Sequence, residues 1–109
     1  MTRTTTAPQW QLEVTAMTAP AGIRLCGEVD ISTLPTLELA LEILVDRAGD
    51  ATIDLCELVF IDVTGLRALA RAAILLRTAG RCLRLRGANA QTLRILGLFG
   101  WVELFELLY

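Results

Sequence analysis

What most constrains this chain is the way two hydrophobic periods take turns along it. Short runs with a two-residue repeat, the period of a half-buried strand, are followed by longer runs at the spacing of a helix lying on a core. Trp10, Leu12 and Val14 alternate with Gln9, Gln11 and Glu13, which predicts a first strand. Thr18–Gly22 reads as a turn, and Ile23–Gly27 as a second strand, most simply its hairpin partner. Leu34, Leu37, Leu41, Leu44, Val45 and Ala48 then repeat at helical spacing, while Glu38, Glu42 and Asp46 form a wet acidic side. Ser32 and Thr33 are N-cap candidates and Pro35 suits a first helical turn.

The alternation continues through Ala51–Leu55, a third strand, with the apolar run Leu58–Ile61 carrying on to a junction. Leu66, Leu69, Ala70, Ala73 and Leu76 predict the buried face of a second helix, which starts near Gly65 and stops at Ala79-Gly80. Cys82, Leu83 and Leu85 mark a fourth strand, and Asn89 caps a third helix that ends at Gly97. Strands that alternate with helices imply parallel pairing through right-handed crossovers. The expected fold is therefore α/β: a four-stranded mixed sheet, its first strand antiparallel at an edge, with helices packed against it. Residues 1–8 read as a flexible polar arm and 9–109 as a single domain. The apolar tail Leu98–Tyr109 must pack on something, either this domain or a second copy in a homodimer.

Functional sites in such sheets lie beyond the carboxyl ends of the parallel strands. That rule puts Glu28 and Asp30, after the second strand, on one rim with Asp62 and Thr64, after the third. Thr64 stands just before a helical pattern, where unpaired N–H groups favour an anion and a hydroxyl makes an N-cap worth ~1 kcal/mol. Asp54, in mid-strand, needs a partner, and an arginine on a neighbouring strand would serve.

Composition removes other kinds of chemistry. All ten basic residues are arginine, and there is no histidine, so imidazole bases, histidine metal ligands, Schiff-base lysines and phosphate-loop lysines are excluded. No base is placed on a nucleophile and no metal set is recognisable, so neither an enzyme nor a cofactor is expected. A net charge of −2 gives no reason to expect direct nucleic-acid binding. The longest uncharged apolar run, Ile95–Val102, is too short to insert in a membrane, and no secretory h-region opens the chain. A cytoplasmic location follows as the expectation. Cys26, Cys56 and Cys82 are scattered singly and read as small buried hydrophobes.

Four segments carry a family resemblance: Leu25-Cys26-Gly27-Glu28-Val29-Asp30, Ile53-Asp54-Leu55-Cys56, Phe60-Ile61-Asp62-Val63-Thr64-Gly65-Leu66 and Leu96-Gly97-Leu98. In order and spacing they resemble the STAS domain of bacterial anti-sigma factor antagonists, from about Trp10 onward. The resemblance implies a chain that binds an anti-sigma factor of the serine/threonine kinase type and so frees a sigma factor. It implies Thr64 as the phosphate acceptor that ends the interaction, with a phosphatase to restore it. The implied docking surface is Glu28, Asp30, Asp62, Val63, Thr64, Gly65, Leu66 and Arg67. Val63 and Cys56 stand where serine is common in the family, and Arg67 where a small residue is. STAS domains also serve as accessory subunits of ABC-type lipid transport complexes, which is the alternative role.

Overall fold

The computed structural model describes residues 11–108; the arm 1–8 and the expected strand position Trp10 lie outside them. Strand β1 (Leu12–Thr18) turns at Ala19-Pro20 into β2 (Ala21–Val29), and the two pair antiparallel from Leu12↔Gly27 to Thr18↔Ala21. Helix α1 (Leu34–Asp46) leads to β3 (Ala51–Ile61), which pairs parallel with β2. Helix α2 (Val63–Thr78), β4 (Leu83–Arg86) and α3 (Ala90–Leu98) follow. The chain then makes a 3₁₀ turn at Val102–Leu104 and closes with β5 (Glu106–Leu108).

The sheet order is β1-β2-β3-β4-β5, the order of the chain itself. Every parallel step moves in the same direction, so right-handed crossovers place all three helices on one face. Under them lies the core: Ile23, Leu25, Ile53 and Leu85 from the strands, with Leu37, Leu41, Leu66, Leu69 and Leu76 from the helices. On the opposite face, Arg24, Asp54 and Arg86 stand side by side across β2, β3 and β4.

Here the sheet corrects the sequence reading, for it has five strands rather than four. The tail supplies the fifth: Glu106, Leu107 and Leu108 pair parallel with Arg84, Leu85 and Arg86, and Phe105 is buried. That end of the tail thus packs on this domain, its backbone groups finding partners on β4 as half-buried strand groups must, whereas Leu98 and Phe99 stay 77 % and 47 % exposed. The cysteines differ too, because Cys56 is exposed and Cys26 and Cys82 are half-buried. Cys56 sits past a register shift between Arg24 and Cys26, where β3 leaves strict alternation with β2. A second shift at Gly27/Glu28 depends on Gly27, whose φ of +112° suits glycine and whose Cβ would collide with the Gln11 carbonyl.

Candidate docking site at the strand-to-helix junction

β2 and β3 end together. Val29 pairs with Ile61, and the Asp62 N–H donates to the Val29 carbonyl at 3.0 Å, so the two exits form one rim as the sequence predicts. Beyond β2, Asp30 makes a tight polar turn. Its Oδ1 accepts from the Ser32 N–H at 2.9 Å, the Ser32 hydroxyl at 2.6 Å and the Thr33 N–H at 3.2 Å. The Ser32 hydroxyl, with the backbone N–H groups, holds the Asp30 carboxyl below its usual range. Thr33 occupies the N-cap position of α1 without capping it; its hydroxyl instead donates to the Glu28 carbonyl at 2.9 Å. Asp30 therefore ties down the rim through Oδ1, while its Oδ2 has no hydrogen-bond partner among the described residues. Glu28 is half-buried, beside Phe60 in register.

At the start of α2 the cap is Asp62, not Thr64. Asp62 has an extended backbone, and its Oδ1 accepts from the Gly65 N–H at 3.1 Å. The helix accordingly begins at Val63, and Thr64 lies inside its first turn. The Thr64 hydroxyl donates to the same Asp62 Oδ1 at 2.6 Å. That bond orients the hydroxyl and leaves the lone pairs on its oxygen unengaged. Thr64 is half-buried, as is Val63.

Two residues of the expected surface belong to the interior. Leu66 is 0 % exposed, packed in the core, so its side chain offers nothing to a partner. Gly65 is buried as well: a Cβ there would come within 2.5 Å of Val29 Cγ1 and 2.8 Å of Ile61 Cγ1. The glycine lets the first turn of α2 settle on the strand ends, and that closeness positions the cap. Arg67, one turn further along than Thr64, is exposed.

The rim also holds three residues that the sequence reading did not single out. Ile31 is 78 % exposed, Val59 66 % and Phe60 46 %, all next to the two strand exits. In sequence, Val59 and Phe60 look like core because they fall in an unbroken apolar run. The available signal was the length of that run, since β3 is far longer than β4 and extends past its pairing with that strand.

Asp54 has the partner expected of it. It is buried, its Oδ2 lies 3.3 Å from Arg24 Nε, and its Oδ1 accepts from the Cys56 N–H at 2.9 Å. Burial pushes its pKa up, but the Cys56 N–H and Arg24 outweigh this and hold the carboxyl below its ordinary 3.8. The neighbouring Cys56 thiol is raised by its hydrogen bond to Asp54 and by burial, and Cys82 is raised by burial and by Glu106. Among the described residues no cluster of three or more potential ligands could hold a metal ion, and no helix is long and apolar enough to cross a membrane.

The family described as "Mlab, STAS domain" matches residues 12–108, nearly the whole chain. Among solved structures, the chain is similar to an anti-sigma factor antagonist from Mycobacterium paratuberculosis, with 27% identity and a TM-score of 0.73 over 88% of this chain and 82% of that one. It is similar in fold to the anti-sigma factor antagonist SpoIIAA in its unphosphorylated form, with 17% identity and a TM-score of 0.68 over 90% of this chain and 87% of that one. A sulfate transporter family protein from Wolinella succinogenes shares the fold less closely, with 21% identity and a TM-score of 0.55 over 70% of this chain and 66% of that one. No curated protein sequence gives a significant match. With the family matched from the first described strand to the last, this chain belongs to the STAS-domain family.

Proposed function

We propose that the chain is an anti-sigma factor antagonist, which binds an anti-sigma factor of the serine/threonine kinase type and is released when Thr64 is phosphorylated. One observation carries the reading: a half-buried hydroxyl oriented by Asp62 sits on a rim where Ile31, Val59 and Phe60 are exposed. Apolar side chains beside a modifiable hydroxyl suit a surface that a partner covers and a phosphate can interrupt. The likeness to an antagonist at 27% identity supports the same role. The work of the site is binding, with kinase and phosphatase supplying the chemistry from outside, and a cytoplasmic setting fits that exchange.

The phosphate would bring about −1.5 to −2 charges to the first turn of α2. The helix N-terminus favours that charge, whereas Asp62 opposes it and loses the hydrogen bond from Thr64. The two effects on folding oppose each other, so the principal effect falls on the partner's side of the contact.

A binding titration with the purified cognate kinase tests the proposal. Wild type and Thr64→Ala should bind alike, and Thr64→Glu at least about tenfold more weakly, a difference of roughly 1.4 kcal/mol. Equal binding by Thr64→Glu sinks the switch, and phosphate mapped to another residue after incubation with kinase and ATP sinks the site. A second reading, an accessory subunit bracing an ABC-type lipid transport complex, draws on the occurrence of this fold in a sulfate transporter family protein. Co-purification of an ATPase–permease pair instead of a kinase would favour it.

A further inference from the structure

The outer surface of the α1–α2 layer is unlike the rest of the molecule. Among the described residues, four of the nine exposed large hydrophobics lie there: Leu39 and Ile43 on α1, Ile74 and Leu75 on α2. Charge is segregated between the same two helices. Glu38, Glu42 and Asp46 recur every four residues on α1, and Arg67 and Arg71 are four apart on α2. A groove of about 470 Å³ runs between the helices, with the three carboxylates on one wall, Arg71 on the other, and Ala68 and Ala72 leaving it open. Opposite charges thus face one groove, yet none of these five residues is in a salt bridge among the described residues.

From this surface we infer a second copy of the chain as its occupant, in a two-fold symmetric contact that sets α1 of each copy on α2 of the other. A two-fold contact needs one patch to carry both complementary halves. This patch does: acidic α1 meets basic α2 twice, and the apolar pairs Leu39/Ile43 and Ile74/Leu75 meet between them. Leu75 lines the groove of its own copy, and the exposed Ile74 beside it has the groove of the other copy to enter. The inference is independent of the Thr64 reading, because it concerns the isolated chain.

Size sets the strength. Helices about 20 Å long, packed about 10 Å apart, offer on the order of 400 Å² per copy. The roughly 800 Å² total falls below the 1,200 Å² or more of stable complexes. The dimer is therefore weak and transient.

Sedimentation of the full chain from about 5 µM to 1 mM, at low and at high salt, tests this. The expected result is a monomer–dimer equilibrium that shifts towards monomer as salt rises, because the charge pairs are surface pairs. Two charge-reversed variants sharpen it, one carrying Arg67→Glu and Arg71→Glu, the other Glu38→Arg and Glu42→Arg. Each alone should be monomeric throughout. Mixed in equal amounts they should dimerise again, since acidic and basic helices then face each other at both contacts. Circular dichroism shows that each variant is folded, and a less drastic Arg71→Gln should give partial weakening if a reversed variant fails that control. A wild type that stays monomeric to 1 mM, because the face is empty or meets a different protein, overturns the inference. So does a dimer that ignores both reversals, or variants that do not recombine.

Discussion

Where β3 and β4 begin, Arg81 lays its guanidinium across the end of α1, donating to the carbonyls of Val45 at 2.7 Å, Leu44 at 3.2 Å and Gly49 at 2.7 Å. Beside it Asp50 accepts from the Cys82 N–H at 2.8 Å and pairs with Arg84 at 3.2 Å, and Arg84 also holds Glu106. Where β2 and β3 end, the same kinds of residue are left over. Arg67 and Glu28 have no hydrogen-bond partner for their side chains among the described residues, and apolar side chains stand in water around Thr64. The first end satisfies the orphan carbonyls of a helix with a fixed cation. The second holds its hydroxyl on Asp62 and leaves the Arg67 cation without a partner among the described residues. The difference teaches that charge on this surface is structural where it meets backbone, and available where it meets only solvent.

That contrast can be broken by substitution. The largest effect should come from within the second end itself: Leu66→Ala should cost about 3 kcal/mol in urea unfolding, as for a fully buried leucine. A cost under about 1 kcal/mol would return Leu66 to the surface. Arg81→Ala should cost about 1.5 kcal/mol and leave partner binding unchanged, since three carbonyls at the far end lose a charged donor. Asp62→Ala should cost about 1 kcal/mol through the lost cap and should also slow phosphorylation of Thr64 by the kinase, as it frees the Thr64 hydroxyl to rotate.

The smallest effect is one of pH. The folded state depresses the Asp54 carboxyl below 3.8, so its contribution is complete above that value and fades as pH falls through the lower, folded pKa. The stability difference between wild type and Asp54→Asn should hold steady from pH 7 to 5 and narrow below about pH 4. A constant difference down to pH 2 would mean that the carboxylate charge contributes nothing.

Most of the framework was legible because each element carries its own period. Leu66, Leu69, Ala70, Ala73 and Leu76 are all buried, and Asn89 caps α3 by accepting from the Thr92 N–H at 2.8 Å. Asp54 found its arginine on β2. The misreadings have local physical causes. Asp62 and Thr64 are both good caps, and only the backbone could say which of them precedes the helix. The run from Leu58 to Ile61 carries no polar interruption to mark where the sheet outruns its cover, so the exposure of Val59 and Phe60 was not legible in it. The fifth strand is three residues long and follows a 3₁₀ turn, too short to display a period.

The coincidence of strand order with chain order has a bearing on synthesis. Each strand after β1 pairs with the one made just before it, so no strand must wait for a distant partner to emerge. Each parallel pairing still closes a crossover that contains a helix, as Arg24↔Asp54 and Arg84↔Glu106 do, and forms more slowly than the β1–β2 hairpin. A chain emerging from the ribosome can extend this sheet one strand at a time, always at the edge away from β1. Among the described strands, the edge of β4 is covered last, by residues Glu106–Leu108.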